Sequence, residues 1–319
     1  MSDDNPHLSM IPAVSPLASN AWTSPHGRRL PAVGGRTLIM GILNCTPDSF
    51  SDGGLLPTVD AVVDRAGQMV AEGADVLDLG GESTRPGAEP VSVKEELSRI
   101  LPAIEAVRRA LPDVPISIDT YKAEVAAAAI HAGADLVNDI WGLTHGLSAQ
   151  ERRELLERLI RGEPVERTTA MAEAVSQLGC PVVLMHNRPD RAYRDFWADV
   201  LLDLRLSMAL AEAADVAAKQ LWLDPGFGFA KDAAQNLEVL RDLSRIVGLG
   251  LPVLLGTSRK STLGRILGTE IGDRLDGTGA TIVWGIQQGC AMVRVHDVAP
   301  MRRYVLMADA IRAGLSFSP

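Results

Sequence analysis

The sequence is short of aromatic residues, cysteine and positive charge. Aromatic residues make up 4% of its 319 positions, so aromatics that fall close together call for a reason. The three cysteines, Cys45, Cys180 and Cys290, are odd in number, far apart and set in apolar stretches. They make neither a disulfide framework nor a CxxC zinc or redox site, and a reduced, cytoplasmic protein is the simplest expectation. Lys plus Arg total 31 against 40 for Asp plus Glu, a formal charge of −9. A field of that sign repels nucleic acid and anionic membrane surfaces, and it would repel an anionic substrate too unless basic groups gather locally. No apolar run reaches the roughly 18 residues that span a bilayer. MSDDNPHLSM carries acid and proline where a secretory signal needs a basic start and an apolar run, so no leader is expected. Glycine, at 29 residues, and proline, at 19, follow no period, which excludes a collagen-like chain.

What is present reads as one large domain. Hydrophobic residues at 46% and charged residues at 22% are ordinary globular values. Residues 1–35, rich in Pro, Ser, Asn and Gly, read as a flexible N-terminal extension. From Thr37 onward short apolar runs recur: TLIMGILN (37–44), DVLDLGG (75–81), PISIDT (115–120), DLVNDI (135–140), PVVLMH (181–186), LWLDPG (221–226), PVLLGTS (252–258) and AMVRVHD (291–297). They lack polar alternation, the mark of strands buried on both faces. Helical stretches such as VDAVVDRAGQMVAEG (59–73) and AEVAAAAIHAG (123–133) lie between them. Gly73, Gly133 and Gly179 suit helix C-caps, while Ser92 with Glu95 and Asp232 with Gln235 have capping-box spacing. Eight strands alternating with helices predict an α/β fold, a single-domain (β/α)8 TIM barrel over residues 36–315. A doubly wound sheet would carry GxGxxG after its first strand, and LNCTPDSFSDGG has no such pattern.

One segment interrupts the rhythm. Residues 144–168, after the fourth run, read as an inserted helix: Ser148 and Glu151 form a capping box, Leu155, Leu156, Leu159 and Ile160 share a face, and Gly162 stops it. Glu154–Arg158 and Glu157–Arg161 are spaced as i,i+4 ion pairs. A surface helix leaning on the barrel is expected, with a lid or subunit contact beside the mouth as the alternative.

Polar residues collect at the ends of the runs: Asn44, Asp78, Asp119, Asn138 with Asp139, His186, Asp224, Ser258, and Arg294 with His296. In a parallel barrel these positions meet at the C-terminal mouth, where active sites are built. Asp119, Asn138 and Asp224 fit a ligand edge rich in N–H donors, or a divalent cation. In DPGFGFAK (224–231), Gly226 and Gly228 allow the backbone to approach a ligand, Phe229 offers a stacking surface, and Phe227 reads as core. The loops after strands seven and eight are the usual phosphate region of such barrels. There Arg294 and His296, two apart and so on one side of the strand, join Lys260 and Asn44 in an oligophosphate site, with Arg259 beside them in the basic focus of the mouth. Arg85 in GGESTRPG can hold an anion bidentately, and the loop through Gly53 and Gly54 reads as a closing lid.

In order and nearly residue for residue, these segments resemble the dihydropteroate synthase family. NxTPDSFSDGG, GGESTRPG, SIDT, ND, MHNR, DPGFGF, SRKS and RVHD carry the likeness, from about Thr37 to Arg312. The resemblance implies a (β/α)8 barrel, usually a homodimer. Its members condense 6-hydroxymethyl-7,8-dihydropterin diphosphate with p-aminobenzoate to 7,8-dihydropteroate and pyrophosphate in folate biosynthesis, with Mg2+. By position it implies that Asp119, Asn138, Asp224 and Lys260 bind the pterin, and that Asn44, Arg294 and His296 bind the diphosphate, with Asn44 also at the metal. Thr84, Arg85, Phe229 and Ser261 would form the p-aminobenzoate region, and Asp119, Lys260, Arg294 and His296 would be the catalytic groups. Cys45 stands where Val is common in the family, and Ala230 and the 144–168 helix depart from it. Two other readings compete with this one. A pterin-binding methyltransferase domain has no need of the diphosphate site or of the STRPG and SRKS loops. A non-catalytic pterin-binding paralogue should lose its mobile loops first, and here they are whole. Residues 1–35 and 144–168 are each net neutral, so the −9 belongs to the barrel body, around a basic focus at its mouth.

Overall fold

The eight apolar runs fold as eight parallel strands. The computed structural model describes residues 22–46, 58–83 and 89–314. The strands are β1 (Leu38–Asn44), β2 (Val76–Gly80), β3 (Ile116–Asp119), β4 (Leu136–Asp139), β5 (Val182–Met185), β6 (Leu221–Asp224), β7 (Leu254–Leu255) and β8 (Met292–Val295). Between and after them run α1 (Val59–Glu72), α2 (Val93–Ala110), α3 (Ala123–His131), α4 (Ala149–Ile160), α5 (Ala170–Leu178), α6 (Phe196–Ala213), α7 (Ala233–Arg241), α8 (Ser244–Val247), α9 (Ser261–Leu267), α10 (Leu275–Gln287) and α11 (Val298–Ala313). The sheet order is β6-β5-β4-β3-β2-β1-β8-β7. A parallel bridge between Leu223 and Val253 joins its two ends, so the expected (β/α)8 barrel is formed. Gly73 and Gly179 cap α1 and α5 in the left-handed conformation, and both reciprocal capping boxes, at Ser148 and Asp232, are made.

Side chains alternate along a strand, and here one parity fills the barrel while the other meets the helices. Val76, Leu136, Trp222, Leu254 and Met292 belong to a single apolar cluster in the lower interior. Two residues further along the same strands stand Asp78, Asn138, Asp224, Gly256 and Arg294. On four of these strands the interior therefore changes from apolar to polar in one step, and on β7 a glycine stands at that step. The outward residues, among them Leu77, Leu79, Ile118, Val137, Leu184 and Leu223, pack with the helices in a separate cluster.

Two of the strand-end polar residues take the outward parity and do not reach the mouth. Asp139 accepts the backbone N–H groups of Trp141 (2.8 Å) and Leu143 (2.7 Å), capping a turn. His186 lies between the barrel and α6, with Nε2 3.3 Å from Asp203.

The extension is only partly as expected. Residues 1–21 lie outside the described residues, but 22–35 are a fixed strap under the barrel. Trp22 is buried, its ring 4.9 Å from that of Trp222, and its indole N–H donates to Pro31 O at 2.7 Å. Thr23 exchanges hydrogen bonds with Gln220. The buried Asp135 carboxylate accepts from Ser24 Oγ (2.6 Å), Arg28 Nε (2.8 Å) and Arg108 Nη2 (2.7 Å). A coil pinned by a few side chains has no hydrophobic period, which is why composition read it as mobile.

The inserted helix forms as α4 and leans on α6, where Arg152 pairs with Asp203 at 2.8 Å. Leu155 is buried, and Leu156 and Leu159 are partly so. Ile160 points to solvent instead of sharing that face. The expected i,i+4 pairs give way to local ones: Arg158 donates to Pro164 O, Arg161 pairs with Glu163, and Glu154 accepts from Gln150. The chain beyond Gly162 turns back and presents these acceptors closer at hand.

Candidate functional site

The polar layer of the barrel is organised by Arg294. Its Nε donates to Asp78 Oδ2 at 2.5 Å and its Nη2 to Asp119 Oδ2 at 2.6 Å, so β8 is tied to β2 and β3 across the interior. Asn138 Nδ2, from β4, donates to the same Asp78 oxygen at 3.2 Å. Burial alone would lower the pKa of Arg294, but Asp78 and Asp119 raise it well above its ordinary value, so the guanidinium is always charged. Its Nη1 has no partner among the described residues. Asp78 Oδ1 and Asp119 Oδ1 are buried without a hydrogen-bond donor among the described residues. Buried acceptors of that kind are costly unless a ligand satisfies them.

Burial pushes the Asp119 carboxyl up to about 7, with Arg294 opposing and the nearby Asp78 adding to the rise. Asp224, on β6, is pushed up to about 6 by burial, although its Oδ1 accepts the Gly226 N–H at 2.7 Å. Lys260 precedes α9, and burial followed by repulsion from Arg294 brings it down to about 8. Its ammonium stands 4.3 Å from the centroid of the Phe229 ring, a cation–π arrangement. Phe229 is half-buried at the mouth and Phe227 is core. Ser261 is exposed at the first position of α9, and Asn44 ends β1, half-buried, beside Gly80 of β2.

His296 stands at the end of β8. Ser258 Oγ accepts the His296 backbone N–H (3.1 Å) and lies 2.9 Å from Nδ1. With the hydroxyl proton directed to Nδ1, the ring N–H sits on Nε2. Burial, with repulsion from Arg294 and Arg259, lowers the ring to about 3, so it is a neutral donor at pH 7. Arg65 of α1 holds the His296 carbonyl from outside at 3.0 Å.

Two expectations change. Arg259 is exposed and its guanidinium is bound bidentately by Asp297, so it is not a free anion-binding group. Gly226 and Gly228 are needed, but for the protein's own packing. A Cβ on Gly226 would stand 1.9 Å from His186 O, and one on Gly228 would stand 3.1 Å from Lys260 Cδ. Thr84, Arg85 and the first-loop lid fall outside the described residues, although the stem of the second loop is fixed. There Lys122 joins Glu82 to Glu96, and Arg99 donates to Gly81 O. Asp78 is more central than the sequence suggested. Its signal was there, since it shares strand position and parity with Asn138 and Asp224.

A cavity of about 620 Å³ lies to one side, lined by Tyr121, Lys122, His145 and Arg167 among others. Its cations are neutralised, Lys122 by Glu82 and Glu96 and Arg167 by Glu151. The central polar layer remains the site.

A parallel barrel whose mouth joins buried acceptors to a ring of donors defines an enzyme acting on a ligand with an N–H-rich edge and an anionic arm. A family model described as pterin binding enzyme matches residues 40–296. The chain belongs to the pterin-binding enzyme family, among the dihydropteroate synthases. It is 48% identical to Bacillus subtilis dihydropteroate synthase over 276 residues, covering 86% of this chain and 89% of that one. The Xanthomonas albilineans dihydropteroate synthase structure with 4-aminobenzoic acid superposes with a TM-score of 0.79 at 40% identity, over 92% of this chain and 100% of that one. A Yersinia pestis dihydropteroate synthase in complex with a sulfonamide drug gives 0.78 at 37% identity, over 89% and 98%.

Proposed function

We propose that this enzyme joins 6-hydroxymethyl-7,8-dihydropterin diphosphate to p-aminobenzoate, giving 7,8-dihydropteroate and pyrophosphate, a step of folate biosynthesis. The observation that carries the reading is the set of buried acceptors with free oxygens, Asp78 and Asp119, completed by Asn138 and Asp224. A planar ring with several N–H groups satisfies such a wall and water alone does so poorly. We assign the pterin to Asp119, Asn138, Asp224 and Lys260. The diphosphate goes to Asn44, Arg294 through Nη1, and His296 through Nε2. Phe229 and Ser261, with Thr84 and Arg85, take p-aminobenzoate.

The reaction is a substitution at the pterin methylene carbon. The C–O bond to the diphosphate breaks, its electron pair leaving on oxygen, and the arylamine lone pair forms the new C–N bond. The proton released from nitrogen passes to solvent or to the departing pyrophosphate. Positive charge shared by the ring and methylene is favoured by the carboxylates of Asp119 and Asp224. Charge on the leaving oxygen is favoured by the Arg294 and His296 donors. An arylamine is already unprotonated at neutral pH, so no strong base is needed. Among the described residues no three His, Cys, Asp or Glu side chains cluster as a metal cage. A lone amide oxygen at Asn44 suits Mg2+, which keeps most of its waters and binds chiefly through phosphates. When bound, the ion would neutralise the diphosphate. The test is formation of dihydropteroate from the two substrates with Mg2+, competed by a sulfonamide; purified enzyme that makes none overturns the reading.

We further propose a homodimer. Trp284 on α10 and Leu306, Met307 and Ile311 on α11 are large apolar side chains left about half or more exposed on adjoining helices, and a second copy would cover them. Sedimentation should give a dimer, and Ile311→Glu a monomer; a monomeric parent protein refutes this. The three cysteines are unpaired and buried, with thiols pushed up to about 12 by burial. Such thiols suit the reducing cytoplasm.

A further inference from the structure

The DPGFGFAK segment ends on a lysine with no part in the reaction just described. Lys231 is 3% exposed, and no carboxylate lies within ion-pair distance of it among the described residues. A buried ammonium without a counter-charge is costly and survives only if its donors are satisfied. Burial lowers Lys231 to about 7, with Asp224 and Asp203 opposing, and three acceptors stand around its donors: Nζ is 2.7 Å from His186 Nδ1, 3.2 Å from Gly226 O and 3.2 Å from Phe229 O.

The two carbonyls come from one turn. That turn is left-handed at Gly226 (φ +66°), Gly228 (φ +87°) and Ala230 (φ +46°), the last a residue whose Cβ disfavours the conformation. Tyr193 Oη donates to Ala230 O at 2.9 Å, so the strained residue is gripped on both sides, by Tyr193 at its own carbonyl and by Lys231 at the one before. What the turn presents is the Phe229 ring against Lys260, with Gly228 packed so closely on Lys260 that a Cβ would crowd it. Movement of the turn is therefore passed directly to the Phe229 ring, while Lys260 is anchored separately before α9, its backbone N–H donating to Thr257 O at 3.2 Å.

We propose that Lys231 is a positioning residue for the arylamine side of the site: by holding the Gly226 and Phe229 carbonyls it sets the place of the Phe229 ring. The proposal rests on the assignment of Phe229 to the p-aminobenzoate region. His186 completes the seat. Burial, and then Lys231 itself, lowers that imidazole to about 3, which leaves Nδ1 free to accept. The other charges facing Lys231 are Asp224 on β6, Asp203 on α6, Arg188 after β5 and Lys260 before α9.

The test is steady-state kinetics on the full chain with each substrate varied in turn. Lys231→Met keeps the side chain's length and loses its donors. It should raise KM for p-aminobenzoate about tenfold, the effect of a lost hydrogen-bonded clamp, while KM for the pterin diphosphate stays within about twofold. Lys231→Gln, with a shorter donor, should restore part of this, leaving a rise of about threefold, and it carries the comparison should the Met variant fail to fold. In a Phe229→Ala background neither substitution should raise KM further. Parallel rises for both substrates, no rise for either, or a full additive rise without the Phe229 ring would each overturn the proposal. If Phe229→Ala itself leaves KM for p-aminobenzoate unchanged, the assignment of Phe229 fails and the proposal falls with it. If Phe229→Ala raises it and Lys231→Met does not, the positioning role alone is wrong.

Discussion

Replacing Trp22 by Ala tests the strap under the barrel. Trp22 is 4% exposed. A buried indole removes about 150–250 Å² from water, worth about 4–6 kcal/mol at 25 cal/mol/Å², and a realistic unfolded chain reduces that to about 3–4 kcal/mol. Loss of the indole N–H bond to Pro31 O contributes about 1 kcal/mol more. Against this, the cost cannot exceed the free energy at which residues 22–35 detach as a unit, because the chain then escapes the remaining penalty. A destabilisation of about 3–4 kcal/mol is expected, with a Tm lower by roughly 5 °C for a chain of this size. The assay is urea and thermal unfolding, followed by tryptophan fluorescence, beside steady-state turnover. Turnover at 25 °C should be preserved, since Trp22 sits at the apolar end and the polar layer lies on the other side of Trp222. A loss below about 1 kcal/mol would show that the strap is held by Asp135 alone, or not held at all, and would refute the reasoning.

Arg294→Ala leaves the Asp78 and Asp119 carboxylates buried without their cation, so stability should fall by about 3–5 kcal/mol and kcat by at least about 100-fold. Turnover within a few-fold of the parent would sink the charge-stabilisation account. Gly226→Ala should cost more than about 3 kcal/mol or prevent folding, since its Cβ would collide with His186 O. Gly67→Ala in α1, where nothing lies within 4 Å, should be neutral or stabilising by up to about 1 kcal/mol in the same melt. Asp119 and Asp224, at about 7 and about 6, take up protons on the folded protein as pH falls through that window. An acceptor for ligand N–H is then lost, so pterin affinity measured by calorimetry should fall from pH 8 to 5.5; a flat profile refutes this. The same shifts affect stability with the opposite sense. Unfolded Asp titrates near 3.9, so the contribution of these two groups is fully present below about 4 and is lost as pH rises to about 7.

Much of the barrel was legible because unbroken apolar runs, each closed by a polar residue, leave few other folds. The inward set Asp119, Asn138, Asp224 and Arg294 followed from strand position. Parity was harder: Asp139 and Asn138 are neighbours in sequence, and only the pleat decides that one enters the barrel and the other caps a turn. His186 was misplaced for the same reason, one residue beyond the end of β5. Partner choice was not legible. Arg259 goes to Asp297 and Arg158 to Pro164 because of where loops return, and no local pattern records that. Ser24 and Asp135, over 100 residues apart in sequence, meet only once the barrel closes.

The level at which the interior turns from apolar to polar has a consequence for how such a protein can change. Each of four strands is anchored by a residue in the lower layer and offers a polar residue two positions later. Exchanges at 78, 138, 224 and 294 therefore rewrite the chemistry of the mouth above an unchanged anchoring row, provided the charges that Arg294 shares with Asp78 and Asp119 change together. Transplanting that upper row into another barrel of the same shear would move the binding specificity as one block, and leaving it in place while redesigning the lower row would change heat tolerance alone.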